Sequence, residues 1–159
     1  MTTSGFAARF SEYFSRPIAE KAAKSISNGA QVGIQIKDLN DTIIESLTFT
    51  KEGGVNVVQP HPPRDPQISF SITPQAAEVI LSNTSEDIGS IGVGILKLVM
   101  SQDPNLKVSV KFHAGFLTLL AKGYFGVLTA GGVAVASYLG EHGLNGMSAI
   151  KAAFKKLKE

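Results

Sequence analysis

The sequence predicts a two-layer α+β domain in which a five-stranded, mostly antiparallel sheet is covered on one face by helices. Three observations lead there. Five short segments alternate apolar and polar residues with period two. Their polar sides are built from Ser, Thr, Gln and Lys, so only one face of the sheet seeks a core. Two further segments, Ile88–Met100 and Gly115–Leu128, are apolar almost all round, with Lys97 and Lys122 their single charges. An all-round apolar helix must be buried on several sides or meet an apolar partner.

At 159 residues one domain, 1–159, is expected, and a single core is feasible at this size. Residues 5–27 read as an N-terminal helix. Phe6, Phe10, Tyr13 and Phe14 recur at spacings of three and four, Pro17 kinks or restarts the helix, and Ile18, Ala22 and Ile26 continue the stripe. Such a stripe either packs on the core or serves as a movable lid.

Residues 30–73 change period and carry four strands. Val32, Ile34 and Ile36 alternate with Gln31, Gly33, Gln35 and Lys37. Asp38–Asp41 supplies turn chemistry. Ile43, Leu47 and Phe49 then share one side, with Glu45 intruding among them. Glu52-Gly53-Gly54 is a second turn, and Val55, Val57 and Val58 form a third, weaker strand. Short turns between the first three strands imply antiparallel hairpins. Pro60–Pro66 holds four prolines and cannot lie inside a sheet. Ile68, Phe70 and Ile72 alternate cleanly with Gln67, Ser69, Ser71 and Thr73.

Residues 74–101 are expected as helices. Thr73 is the N-cap and Pro74 the first helical position of a short helix that Asn83–Ser85 breaks. Thr84 and Asp87 form a capping-box-like start for the long apolar helix, with Glu86 and Asp87 favoured by its dipole, and Asp103-Pro104 ends it. The last strand, residues 106–113, turns Leu106, Val108, Val110 and Phe112 one way and Lys107, Ser109, Lys111 and His113 the other. Residues 115–159 are expected as C-terminal helices: Gly115–Leu128, Val133–Leu139 and an amphipathic tail from Met147. In that tail Lys151, Lys155 and Lys158 flank an apolar face of Ile150, Phe154 and Leu157.

Composition removes several functions. Fifteen basic against 13 acidic side chains leave a formal charge of +2, no general argument for nucleic acid. With no cysteine there is no disulfide, thiol nucleophile or thiolate metal site. The N-terminus lacks a signal-type apolar core, and a cytoplasmic location is expected. Gly123–Gly140 is eighteen residues without a charge, but five glycines with Tyr124, Thr129, Ser137 and Tyr138 make a buried or interfacial helix the better reading than a membrane span. His61, His113 and His142 are isolated, with no zinc spacing, and no nucleophile elbow occurs. The run Gly89–Gly94 looks like a phosphate loop but follows a helix cap rather than a strand, and lacks the terminal lysine; close helix packing is expected there. No enzyme, no cofactor and no metal are expected. A small enzyme using His113 or Lys122 is the weakest alternative.

What remains is apolar excess around a one-sided sheet. Eleven of the sixteen glycines lie between Gly89 and Gly146, and helical glycine sacrifices stability, so the cover helices could open over a cavity. The expected function is non-enzymatic binding or transfer of an apolar lipid in a tunnel between sheet and helices. The alternative is a protein-interaction or membrane-surface module built on the apolar C-terminal helices, with a homodimer as a variant and Lys151, Lys155 and Lys158 as the peripheral membrane contact.

The order of elements resembles the sterol carrier protein family over roughly Phe6 to Leu128. The features that carry the likeness are an N-terminal helix, three strands, a proline-rich loop, and a strand leading straight into a helix (PQISFSITPQAAEVIL). The acidic start SEDI then opens an apolar helix, followed by the last strand LKVSVKF and a closing apolar helix. The chain departs from the family pattern in having no tryptophan, in carrying Asp103-Pro104-Asn105 before the last strand, and in its extension from Gly132 to Glu159. The resemblance implies a five-stranded sheet under helices and an apolar tunnel for sterols, fatty acids, acyl thioesters or phospholipids, with no cofactor and no catalysis. By position it puts the tunnel lining at Ile91, Ile95, Val99, Phe112, Phe116, Leu120 and Phe125, residues that also fall between helix and sheet in the residue-level reading.

Overall fold

Five strands form one mixed sheet: β1 (Gln31–Lys37), β2 (Ile43–Glu52), β3 (Val55–Gln59), β4 (Ile68–Ile72) and β5 (Val108–Phe112), in the order β3-β2-β1-β4-β5. They come from a computed structural model that describes residues 5–124, 126, 130, 132–141 and 143. Neighbouring strands are antiparallel except β1 and β4, which run parallel. Parallel neighbours need a long crossover, and β2, β3 and the proline loop together supply it. Both hairpins have their turn chemistry. Asp38 Oδ1 accepts the Asn40 and Thr42 amides at 2.9 and 3.0 Å. Gly53 and Gly54 both take positive φ, the conformation a tight two-residue hairpin asks for.

Register puts the apolar residues on one face. Val32 lies opposite Phe49 and Ile68, Ile34 opposite Leu47, and Ile72 opposite both Ile36 and Val108. The other face is not wholly solvated, although its polar composition leads one to expect that. The proline loop folds across it: the Thr48 hydroxyl donates to the His61 carbonyl at 2.6 Å, and a Cβ on Gly33 would lie 3.1 Å from Pro63 Cγ. Thr48 is buried there.

Six helices are described: α1 (Phe6–Phe14), α2 (Pro17–Ala22), α3 (Pro74–Ser82), α4 (Ile88–Val99), α5 (Phe116–Ala121) and α6 (Gly132–Glu141). The helix expected over residues 5–27 is two pieces. Arg16 is extended, Pro17 opens α2 at its first position, and α2 stops at Ala22. On α1, Phe10 and Tyr13 are buried, Phe10 stacks on Phe14 at 5.9 Å, and Phe14 meets the Phe49 ring of β2 at 5.4 Å. That packing makes α1 a part of the core and not a lid.

Three helix ends differ from expectation, each for a local reason. The start of α4 is capped by Asp87, whose Oδ1 accepts the Gly89 amide at 3.2 Å; the Thr84 cap is not used, and Ser85 Oγ accepts the Asp87 amide instead. That helix ends at Val99, short of Asp103-Pro104, where Lys107 Nζ gathers the Val99 and Ser101 carbonyls at 2.6 and 3.1 Å. The apolar segment 115–128 is interrupted after Ala121, because Gly123 adopts φ 83°, where a Cβ would overlap the Ser25 carbonyl oxygen. The remaining caps follow the sequence: Thr73 Oγ1 accepts the Ala76 amide at 3.3 Å, and α6 covers Val133–Leu139. The glycine-rich run Gly89–Gly94 lies inside α4, where a Cβ on Gly92 would stand 2.8 Å from Val135 Cγ2 of α6. Close helix packing, not phosphate, accounts for that glycine. Among the described residues no helix is long and apolar enough to cross a membrane. The tail from Met147 with Lys151, Lys155 and Lys158, and His142, lie outside the described residues.

Candidate functional site

Burial under the helices is graded across the sheet. At its centre Ile36 and Leu47 are fully buried (0% exposed). Toward the Phe112 end of β5 the same face opens: Phe70, Val110 and Phe112 are only half-buried, whereas Val108 at the start of that strand is sealed. The helix nearby does not close it. α4 packs chiefly on α6 and more lightly on β5, and although its sequence is apolar throughout, only Gly89 and Leu98 are buried on it. Ile91, Val93, Ile95, Leu96 and Val99 keep part of their surface in solvent.

The residues expected to line a tunnel distribute as follows. Ile95 and Val99 of α4 and Phe112 of β5 are each partly buried against the core. Ile91 is half-buried one turn before Ile95 on the same helix face. Phe116 and Leu120 are on α5, which follows β5, but their side chains lie outside the described set, as does Phe125 altogether.

Two charged residues sit on the apolar side of β2. Glu45 is visible in the sequence as an intruder, and its carboxylate accepts the Phe6 and Ala7 amides at 2.6 and 3.1 Å. Lys51 shares the parity of Leu47 and Phe49, and reading the sequence alone misses it. It is buried (3% exposed), with Nζ donating to the Ala23 carbonyl at 3.0 Å and to Asn56 Oδ1 at 3.1 Å. Asn56 in turn donates Nδ2 to the Phe14 carbonyl at 3.0 Å, and its backbone amide donates to Glu20 Oε2 at 3.1 Å. Lys51 reaches an open cleft of about 700 Å³ between the end of α2 and the β2–β3 turn, which Lys21 and Lys24 also line. The signal that could have found it is a lysine falling on the apolar beat of a strand.

Between cleft and apolar margin the chain is clamped. Ser25 Oγ donates to the Gly123 carbonyl at 2.7 Å, and the Ser27 amide donates to the Lys122 carbonyl at 2.9 Å. Tyr124 follows directly, and its hydroxyl donates to Gln67 Oε1 at 2.8 Å, the oxygen that also accepts the Gln31 amide at 2.7 Å. Burial pushes the Tyr124 phenol up to about 12. At the other end of the helical layer Arg9 and Glu78 make a twofold ion pair at 2.6 Å between α1 and α3, and Arg9 holds the Glu78 carboxyl below its ordinary range. His113 Nε2 lies 2.7 Å from Ser69 Oγ, a cross-strand hydrogen bond on the polar face, opposite both the apolar margin and Lys51.

No family model and no curated protein matches the chain. Among solved structures it is similar to that of a UbiJ-SCP2 ubiquinone synthesis protein. The two share 11% sequence identity, the likeness covering 78% of this chain and 94% of that one at a TM-score of 0.45. At that identity and TM-score nothing about the ligand or reaction of that protein transfers to this chain.

Proposed function

We propose that this chain binds an apolar lipid without catalysing a reaction on it, the hydrocarbon lying between α4 and the β4–β5 margin of the sheet. The observation that supports the reading is the uneven burial of one sheet face, closed at Ile36, Leu47 and Val108 and half-open at Phe70, Val110 and Phe112. A helix as apolar as α4 that buries so little of itself leaves surface that a hydrocarbon would cover. Ile91, Ile95, Val99 and Phe112 form the described part of the lining, and Phe116, Leu120 and Phe125 complete it on the segment that follows β5.

The energetics are adequate without any catalytic group. Burying a methylene is worth about 0.8 kcal/mol, so a fourteen-carbon tail grosses on the order of 10 kcal/mol, and micromolar affinity needs about 8 kcal/mol after ordering costs. Fatty acids, acyl thioesters, sterols and phospholipids all fit that chemistry. The proposal is of a cytoplasmic carrier acting as one domain, 1–159, with Lys151, Lys155 and Lys158 meeting the membrane from which lipid is taken. Native mass spectrometry after gentle purification tests it. The expected spectrum carries adducts of lipid mass, and delipidated protein takes up a fluorescent fatty acid. A ligand-free spectrum from protein that also refuses the fatty acid would overturn the proposal.

A further inference from the structure

We propose that the cleft between the end of α2 and the β2–β3 turn is an anion site that takes the phosphoryl group of a small phosphate ester, with Lys51 at its base and Lys21 and Lys24 on its wall. The site is separate from the apolar margin, and the inference does not rest on lipid binding. Lys51 belongs to the face that carries Leu47, Phe49 and Val58, lies opposite Asn56 in register, and is almost wholly buried. Its two hydrogen-bond acceptors, the Ala23 carbonyl and Asn56 Oδ1, are neutral. Among the described residues no carboxylate lies within ion-pair distance of it. A buried cation held only by neutral dipoles is expensive to keep out of water, so its place there asks for a reason beyond packing.

The surroundings supply one. A lysine ammonium has three donors and the protein engages two, leaving one for a group in the cleft that Lys51 lines. Lys21 and Lys24 add two cations, Glu20 subtracts one charge, and Ser27 adds a hydroxyl. Three lysines against one glutamate leave a surplus of two, which equals the formal charge of the entire chain. A phosphomonoester dianion matches that surplus. The cleft volume of about 700 Å³ exceeds what inorganic phosphate fills and lies within the range of small-molecule sites, so the phosphoryl group arrives attached to a body. That body is either a soluble ester or the glycerol of a lipid headgroup, and the same phosphate chemistry serves both.

Amide NMR of the full chain decides the matter, titrated in turn with inorganic phosphate, glycerol phosphate and dihexanoyl phosphatidate below its micelle threshold. Saturable shifts are expected at Lys24, Ser27, Asn28 and Gly54, weakening as salt is raised. The exposed pair Lys21→Gln/Lys24→Gln should lose about tenfold in affinity for glycerol phosphate, and Lys51→Met a similar factor. Should Lys51→Met fail to fold, the exposed pair decides alone. Phosphatidate binding tenfold tighter than glycerol phosphate assigns the site to a headgroup, and equal affinities assign it to a soluble ester. Shifts scattered over surface lysines, or an affinity unchanged in Lys21→Gln/Lys24→Gln, would overturn the proposal. A chain that refuses fatty acid yet binds glycerol phosphate here would leave this site standing while removing the lipid reading.

Discussion

Glu45 Oε1 accepts the Phe6 amide at 2.6 Å while its second oxygen accepts the Ala7 amide at 3.1 Å, so a residue of β2 caps the first turn of α1 from 38 and 39 positions away. The N-cap position itself, Gly5, offers no side chain to the helix. The carboxylate also meets the positive end of the α1 dipole. Glu45→Ala strands two amides and should cost about 1–2 kcal/mol, read as a lower midpoint in urea with unchanged slope. Glu45→Gln keeps an acceptor and loses the charge, for about half that cost. Equal stability of all three chains would show that α1 is held by its aromatic stripe alone.

The Tyr124 phenol gives the fold an alkaline limit. Its pKa is about 12 in the folded chain against an ordinary value of 10. Below pH 10 both folded and unfolded chains keep the proton, so the contribution is fully present. Between pH 10 and 12 the unfolded chain loses the proton first, and stability falls as pH rises. The loss attributable to this residue is at most about 3 kcal/mol. Tyr124→Phe should cost about 1 kcal/mol at neutral pH, since Gln67 Oε1 keeps its bond from the Gln31 amide, and should decline less steeply over the alkaline interval. Parallel alkaline profiles for the two chains would contradict the assignment.

Those two residues show where the sequence speaks plainly and where it does not. The five strands are legible because side-chain alternation survives any arrangement of the strands, and Thr73-Pro74 announces α3 by chemistry confined to one turn. The parallel pairing of β1 with β4 is not written in either strand; it follows from where the crossover lands. Glu45 and Lys51 look like errors in an apolar beat because their partners, the α1 amides and the Ala23 carbonyl, are far away in sequence. Gly123 hides in an apolar run, since composition does not report the sign of φ. At the apolar margin Ile95, Val99 and Phe112 could be found from period and face alone. The cleft could not, because Lys51 lies about thirty residues from Lys21 and Lys24 and only the fold brings the two segments together.

Gly123 and Gly126 make a second contact with testable structure. A Cβ on Gly123 would overlap the Ser25 carbonyl oxygen, whereas one on Gly126 would overlap the Ser25 side chain. Gly123 also has φ 83°, which alanine adopts at a cost. Gly123→Ala should therefore destabilise on the order of 3 kcal/mol, and Gly126→Ala about 1–3 kcal/mol. Ser25→Gly removes the obstructing side chain together with its bond to the Gly123 carbonyl, so in that background Gly126→Ala should cost little more while Gly123→Ala should still cost its full amount. A double-mutant cycle on thermal or urea unfolding measures this, and equal rescue of both alanines would contradict the geometry.

The gradient of burial separates residues that hold the fold from residues that hold a ligand. Leu47 is sealed beneath the helices, and Leu47→Ala should cost about 2–5 kcal/mol in stability through lost burial and the cavity left behind. Phe112 is half-open already, so Phe112→Ala removes less buried surface and should cost about 1–2 kcal/mol. Fatty-acid uptake should show the opposite order. Phe112→Ala on β5, and Ile95→Asn on α4, should each weaken uptake by about tenfold, because the ring and the branched chain supply wall to the hydrocarbon. The folded fraction of Leu47→Ala should bind within about twofold of the parent chain. Ligand at one hundred times its dissociation constant stabilises a binding-competent chain by about 2.7 kcal/mol, so thermal midpoints with and without fatty acid report both quantities at once. A half-open margin that is merely loose packing would make stability and uptake fall together at Leu47 and leave uptake untouched at Phe112, an outcome the same melting curves would reveal.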